Sequence, residues 1–236
     1  FKLSKELGIN FKGSLEELRE KLPISNKKKL SKYFLVLSHE KIYLKKGLSY
    51  RTKPIYCDFL KWSKYQKKNN LLRSMRGIPE TCTVIDATAG LGKDSLTLSS
   101  VAGKVILLEK IPWIYTLLED GLKNVRKKNS LFSKMEAVCM DSEKYISNLK
   151  KKVDVIYIDL MFPGMGKSKA KREIQALREL VNKDINDNLL SVSLKKAFER
   201  VIVKRHKNSI FLSGKEPTYI IQGRATRYDI YSVKLI

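Results

Sequence analysis

Asp159 closes a largely apolar run, Val153 to Ile158, and Phe162 and Pro163 follow close behind it. A run of that length is what a buried parallel strand requires. A carboxylate at its end can accept an N–H from an exocyclic amine, whose lone pair is delocalised into a ring and is a poor nucleophile. An aromatic face such as Phe162 can stack that ring. The plainer alternative makes Asp159 the cap of the next helix and Phe162 a core residue. Three further acids stand at the ends of apolar runs: Asp86, Glu109 and Asp141. One acid in that position is ordinary. Several in succession fall on the edge where open α/β sheets bind their ligands.

The stretch "VIDATAGLGKD", Val84 to Asp94, follows the first of these runs. Gly90 and Gly92 permit a tight turn that brings backbone close to a ligand. The spacing is not that of a phosphate-cradling P-loop, and Ser95 stands where a dinucleotide fingerprint has its third glycine. Asp86 would repel a pyrophosphate but suits a ligand carrying an amino group, such as the aminocarboxypropyl arm of S-adenosyl-L-methionine. Glu109, 23 residues after Asp86, can accept from two ribose hydroxyls. Asp141 is placed to accept from an adenine amino group.

The elements that must carry these residues alternate. From Thr81 the pattern reads strand "CTVIDA", helix "KDSLTLSSVA", strand "KVILLEK", helix "WIYTLLEDGLKNVRKK", strand "MEAVCM", helix "SEKYISNLK" and strand "VDVIYID". A helix around "KAKREIQALREL" and another near "SLKKAFE" lead to the strand "RVIVKR". "TYIIQG" and "RYDIYSVKLI" then face each other across "RAT". Repeated strand–helix units predict a parallel sheet covered on both faces, wound right-handedly. A closing antiparallel hairpin predicts the seven-stranded, Rossmann-like sheet of class I S-adenosylmethionine-dependent methyltransferases. That domain is expected over 78–236. Residues 1–77 are expected to form a small basic α+β region: a capped helix from Ser14, strands "KYFLVLS" and "KIYLKK", and one or two helices in "DFLKWSKYQKKNNLLRSMRG".

The chain has 236 residues, 48 Lys and Arg against 24 Asp and Glu, a net charge of +24 and a pI near 9.9. Such an excess favours a polyanionic partner. Replacing Arg by Lys, as nucleotide bias can do, would not by itself create it. Cys57, Cys82 and Cys139 have no paired spacing and read as reduced thiols of a reducing compartment, the cytoplasm. Two histidines make a zinc site or a histidine-based triad a poor fit, and no metal is expected. No apolar run approaches a membrane span. The first residue is Phe1, not Met, which leaves open whether residues precede it.

"IDLMFP" resembles the Asp/Asn-Pro-Pro-Tyr/Phe motif of amino-group methyltransferases. Together with "VIDATAGLGKDSLTLSS", "LLEKIPWIYTLLEDGL", "VIYIDLMFPGMGKSKAKREIQALRELV", "RVIVKR" and "RYDIYS", it resembles the bacterial small-subunit ribosomal RNA guanine-N2 methyltransferases of the J type. "LVLSHEKIYL" and "CDFLKW" extend the likeness more weakly upstream. The resemblance implies S-adenosylmethionine as methyl donor and the exocyclic N2 of a guanine in 16S rRNA, alone or in the small subunit, as acceptor. It implies that Lys93 and Asp94 stand at the family's Arg-Asp cofactor contact, Glu109 and Lys110 at its Glu-Arg pair, and Asp141 and Ser142 at its Ser-Ser pair. Asp159 falls on the motif acid, catalytic and bordering the cofactor. The chain departs from the family at Leu160, where the motif has proline, in the lysines at 93 and 110, and in a shortened segment around "YQKKNNLLR".

Lys167, Lys169, Lys171 and Arg172 follow the motif directly, and Lys204 and Arg205 end the fifth strand on the same edge. All six are expected to contact RNA phosphates. Lys61, Lys64, Lys67 and Lys68, with Trp62 and Tyr65, offer a second patch. Two other functions fit parts of the pattern: an adenine-N6 methyltransferase on RNA or DNA, and a basic RNA-binding protein whose transfer site has decayed.

Overall fold

The computed structural model describes residues 14, 33–47, 51–64, 69–126, 128–160 and 188–233. Seven strands form one sheet in the order β5-β4-β3-β6-β7-β9-β8. They are β3 (Thr83–Asp86), β4 (Lys104–Glu109), β5 (Met135–Cys139), β6 (Val153–Ile158), β7 (Ala197–His206), β8 (Tyr219–Gln222) and β9 (Thr226–Ser232). The strands from β5 to β7 are parallel, and β9 runs antiparallel to both β7 and β8. The closing hairpin therefore sits where the sequence places it. A separate two-stranded sheet pairs β1 (Tyr33–Leu37) with β2 (Ile42–Lys46).

Side-chain alternation divides the sheet into two apolar faces. Val84, Val105, Leu107, Val155, Tyr157, Ile202, Tyr228 and Ile230 point to one cluster. Ile85, Ile106, Leu108, Ile156, Ile158, Val201, Val203 and Tyr231 point to the other. The first face is covered by α3 (Lys93–Ser99) and α4 (Pro112–Lys123), with α5 (Ser130–Ser133) beside them. The second face is covered by α6 (Ser142–Ser147) and α7 (Leu189–Lys196), which pack on each other.

Local chemistry starts these helices. Pro112 opens α4, where a missing N–H costs nothing. Asn129 caps α5, and Asp141 caps α6 by accepting from Lys144 N. The basic stretch before the sheet forms two short helices, α1 (Phe59–Ser63) and α2 (Asn70–Ser74), capped by Asp58 and Asn69. Leu44, Ile55, Cys57, Phe59, Leu71 and Met75 share the first cluster with the sheet, so one core runs through residues on both sides of position 77.

One element differs in kind. A helix is expected near "SLKKAFE", but it ends at Lys196 and Ala197 already pairs with Val153. Ala197 is fully buried while Phe198 is exposed, the alternation of a strand. Ladder pairing outweighs the helix preference of these residues. The helix expected around "KAKREIQALREL" and the one expected from Ser14 lie outside the described residues.

Candidate active site

The parallel strands end on a common edge, and two side-chain networks meet there. The first builds the glycine loop. Asp86, at the end of β3, accepts from Thr88 N at 3.1 Å and from Ser95 Oγ at 2.6 Å. It thereby ties the strand to both the loop and α3. Its side chain is 1% exposed, and burial pushes its carboxyl up to about 7. The sequence places Asp86 against a ligand's amino group; in the structure its two oxygens accept from the loop and from α3. Glu109 ends β4 and accepts from Gly90 N at 3.1 Å and from Ile111 N at 2.8 Å. Burial raises its carboxyl too, against the pull of those two N–H groups. The Ser142 hydroxyl donates to Ala87 O, and Ala87 N donates to Tyr157 O at 2.8 Å.

Gly90 and Gly92 both have positive φ, +54° and +80°. They differ in what surrounds them. A Cβ on Gly92 would meet Leu118 Cδ1 at 2.8 Å and Phe59 Cζ at 2.9 Å, whereas one on Gly90 would meet nothing within 4 Å. Gly92 is therefore needed for packing beneath the loop. Gly90 leaves open ground above it, next to the Glu109 carboxylate.

The second network surrounds Asp159. Ile158 pairs with Val203 in register, which brings the residues after them, Asp159 and Lys204, level at the ends of β6 and β7. Lys204 Nζ lies 2.8 Å from Asp159 Oδ2 and 2.6 Å from Asp94 Oδ2. Tyr157 donates its hydroxyl to Asp94 Oδ2 at 2.7 Å, and Asp159 N donates to Thr88 Oγ1 at 2.6 Å. Tyr228 pairs with Lys204 across β9, and burial pushes its phenol up to about 12. Burial opposes the charge on Lys204, but Asp159 and Asp94 outweigh it and hold the ammonium well above its ordinary range. Burial raises Asp159, and Lys204 opposes that rise. The Asp159 side chain remains 31% accessible, so unlike Asp86 it can meet a second molecule.

The edge thus brings together Asp86, Gly90, Gly92, Asp94, Glu109, Ser142 and Asp159. Lys93 instead lies 4.7 Å over the ring of Trp62, facing α1. Lys110 is exposed just beyond β4, and Asp141 serves α6 as its cap. Two residues expected to contact phosphates have partners within the protein. Lys204 is inside the site between two carboxylates. Arg205 alternates to the other face, is 4% exposed, and donates from Nη2 to Ile210 O at 2.7 Å. Phe162, Lys167, Lys169, Lys171 and Arg172 lie outside the described residues.

Sequence reasoning missed Thr88, Tyr157 and Tyr228 as members of the site and gave Lys204 another task. The available signal was parity. Tyr157 interrupts an aliphatic strand two residues before Asp159, and Lys204 is the first charge on "VIV". Among the described residues, no cluster of three or more His, Cys, Asp or Glu could hold a metal ion, and no helix is long and apolar enough to cross a membrane.

A protein-family model described as "Putative SAM-dependent methyltransferase" matches residues 17–233. A ribosomal RNA small subunit methyltransferase J of Coxiella burnetii is 36% identical over 192 residues, covering 77% of this chain and 76% of its own. The chain belongs to the small subunit methyltransferase J family. A methyltransferase J of Hahella chejuensis is 29% identical over 86% of this chain and 81% of its own. In fold, the chain is similar to a SAM-dependent methyltransferase from Neisseria gonorrhoeae, with a TM-score of 0.73 and 23% identity, covering 98% of this chain and 90% of that one. It is also similar to a T. thermophilus 16S rRNA N2 methyltransferase in complex with AdoMet and guanosine, with a TM-score of 0.51 and 14% identity over 86% of this chain and 50% of that one.

The cofactor of this methyltransferase family is S-adenosylmethionine, and the residues present fit it. The open ground over Gly90 adjoins an acid with lone pairs to spare, since a carboxylate offers about four and the N–H groups of Gly90 and Ile111 use two. Glu109 would take the ribose hydroxyls, with Asp141 and Ser142 towards the base. Asp94 and Asp159 would stand on the side of the reacting group.

Proposed function

We propose that this protein methylates the exocyclic N2 of a guanine in 16S rRNA, working on the small ribosomal subunit or its precursor in the cytoplasm. The observation that carries the reading is Asp159: an acid at the edge of the sheet, held at its main chain by Thr88 and at its side chain by Lys204, with its carboxylate still accessible. When bound, S-adenosylmethionine supplies a methyl group on a positively charged sulfur and leaves as a neutral thioether. The chain's part is positioning. The Asp159 carboxylate accepts an N–H of the amine, which draws density onto nitrogen and fixes its direction. As the N–C bond forms, the amine proton passes to Asp159 and then to water. With both carboxylates ionised, Asp94 and Asp159 outnumber Lys204, and the one net negative charge of the cluster would favour a cationic methyl donor over the neutral product. Leu160, in the place of the motif proline, packs against the second apolar cluster. The names of the relatives support RNA of the small subunit as substrate, and the net charge of +24 supports a polyanion.

The test is methylation of unmodified small subunits, followed by nucleoside analysis. N2-methylguanosine is expected; N6-methyladenosine, or no product from a protein that binds S-adenosylhomocysteine, would overturn the assignment. Asp159→Asn should lower kcat by about 10²–10⁴-fold while S-adenosylhomocysteine still binds. Loss of that binding would instead make Asp159 a cofactor contact.

A further inference from the structure

We propose that Lys204 is a positioning residue of this reaction, whose ammonium, clamped between Asp94 and Asp159, keeps the Asp159 carboxylate ionised and aimed at the incoming amine. The role rests on the amino-methyl transfer proposed above. It follows from geometry that transfer itself does not require. Lys204 Nζ reaches Asp159 Oδ2 at 2.8 Å and Asp94 Oδ2 at 2.6 Å, both within charge-assisted hydrogen-bond range. Asp94 is fixed in turn by the Tyr157 hydroxyl at 2.7 Å, so the lysine is held on a rigid post. The backbone of Asp159 is fixed separately, through its N–H to Thr88 Oγ1 at 2.6 Å. The acid is thus pinned at main chain and side chain although the motif proline is absent.

Lys204 is needed because, among the described residues, the acids facing Asp159 work against its charge. Asp94 on α3 and Asp86 on β3 are acids. Tyr157 on β6 and Tyr228 on β9 are phenols in the same field. Among these groups Lys204 is the cation. Without it, Asp94 and Asp159 would be adjacent carboxyls in a partly buried site, and such pairs share a proton. A protonated Asp159 would offer the amine a donor where it needs an acceptor. Lysine suits the task because its ammonium has three donors and can serve two carboxylates at once.

The experiment has one arm that needs no substrate. Aspartate carboxyls are labelled with carbon-13 and titrated by NMR, with the Asp159 resonance assigned by Asp159→Asn. In Lys204→Met the Asp159 midpoint should rise by about 1–3 units, and Lys204→Arg should restore it. In Asp94→Asn the midpoint should fall, because the ammonium then serves Asp159 alone; this variant decides the matter if Lys204→Met does not fold. The second arm measures methyl transfer against pH. Lys204→Met should lower kcat by about 10²-fold and move its acidic limb upward with the carboxyl midpoint. A midpoint that stays put in both Lys204→Met and Asp94→Asn overturns the proposal. So does a change in KM for S-adenosylmethionine with kcat and its acidic limb unmoved, which would make Lys204 a cofactor contact. Failure of the wild type to make methylguanosine would overturn the function proposed above, while the titration would still decide the role of Lys204.

Discussion

Asp86 and Asp159 are both carboxylates at parallel strand ends, and their surroundings give them different work. Asp86 is sealed beneath the loop, with Thr88 N and Ser95 Oγ on its oxygens; Asp159 is open and paired with a cation. Burial has a consequence for stability. The folded-state carboxyl of Asp86 is pushed up to about 7 from an ordinary value of 3.8. Between those values the native state holds a proton that the unfolded chain has released. Stability must therefore fall as pH rises through that window, by roughly a few kcal/mol in all. Asp86→Asn cannot ionise and should flatten the dependence. Denaturant melts of wild type and variant at pH 5 and pH 8 measure it, and parallel losses in the two proteins would rule the explanation out.

At the scale of elements, the loop between β3 and α3 is held from below by the N-terminal segment. Phe59 of α1 and Leu118 of α4 close on Gly92, and Cys57 Sγ donates to Leu91 O at 3.4 Å. The two loop glycines should then respond differently. Gly92→Ala meets both the positive-φ penalty and a steric conflict, and should cost about 2–4 kcal/mol in stability. Gly90→Ala meets the backbone penalty alone, about 1 kcal/mol, but adds a methyl group in the open ground by Glu109. It should weaken S-adenosylhomocysteine binding beyond what its small stability loss explains. Thermal melts and calorimetry on the pair separate packing from binding. Equal melting losses, or unchanged affinity in Gly90→Ala, would remove the distinction. Phe59→Ala should cost about 3–5 kcal/mol, because the ring is fully buried against the sheet domain rather than in a unit of its own.

At the scale of the whole molecule, the net charge of +24 favours a polyanionic partner, which on the proposed reading is rRNA. Affinity for rRNA should fall steeply with salt, with a log–log slope that counts neutralised phosphates. Replacing Lys169, Lys171 and Arg172 together by Ala should flatten that slope by up to about three, whereas Arg205→Ala should leave it unchanged, since that guanidinium is buried against Ile210 O. Filter-binding titrations from low to moderate salt measure both. An unaltered slope in the triple variant would move the footprint elsewhere, with the exposed Lys61 of α1 and Lys64 just after it as the next place to look.

By itself, the sequence determined the sheet, its alternation with helices and the final hairpin, because period and turn chemistry are local properties of the chain. It also placed Asp86, Gly90, Gly92, Glu109 and Asp159 on one edge, since the ends of parallel strands share a side. Only the tertiary structure decided what each does there. Ladder pairing with Val153 turned Ala197 to Glu199 from helix into strand. Register between β6 and β7, set by pairs about 45 residues apart in the chain, put Lys204 on Asp159 and turned Arg205 inward. Burial depth, which no local pattern records, separated a carboxylate that holds the loop from one that can meet an amine.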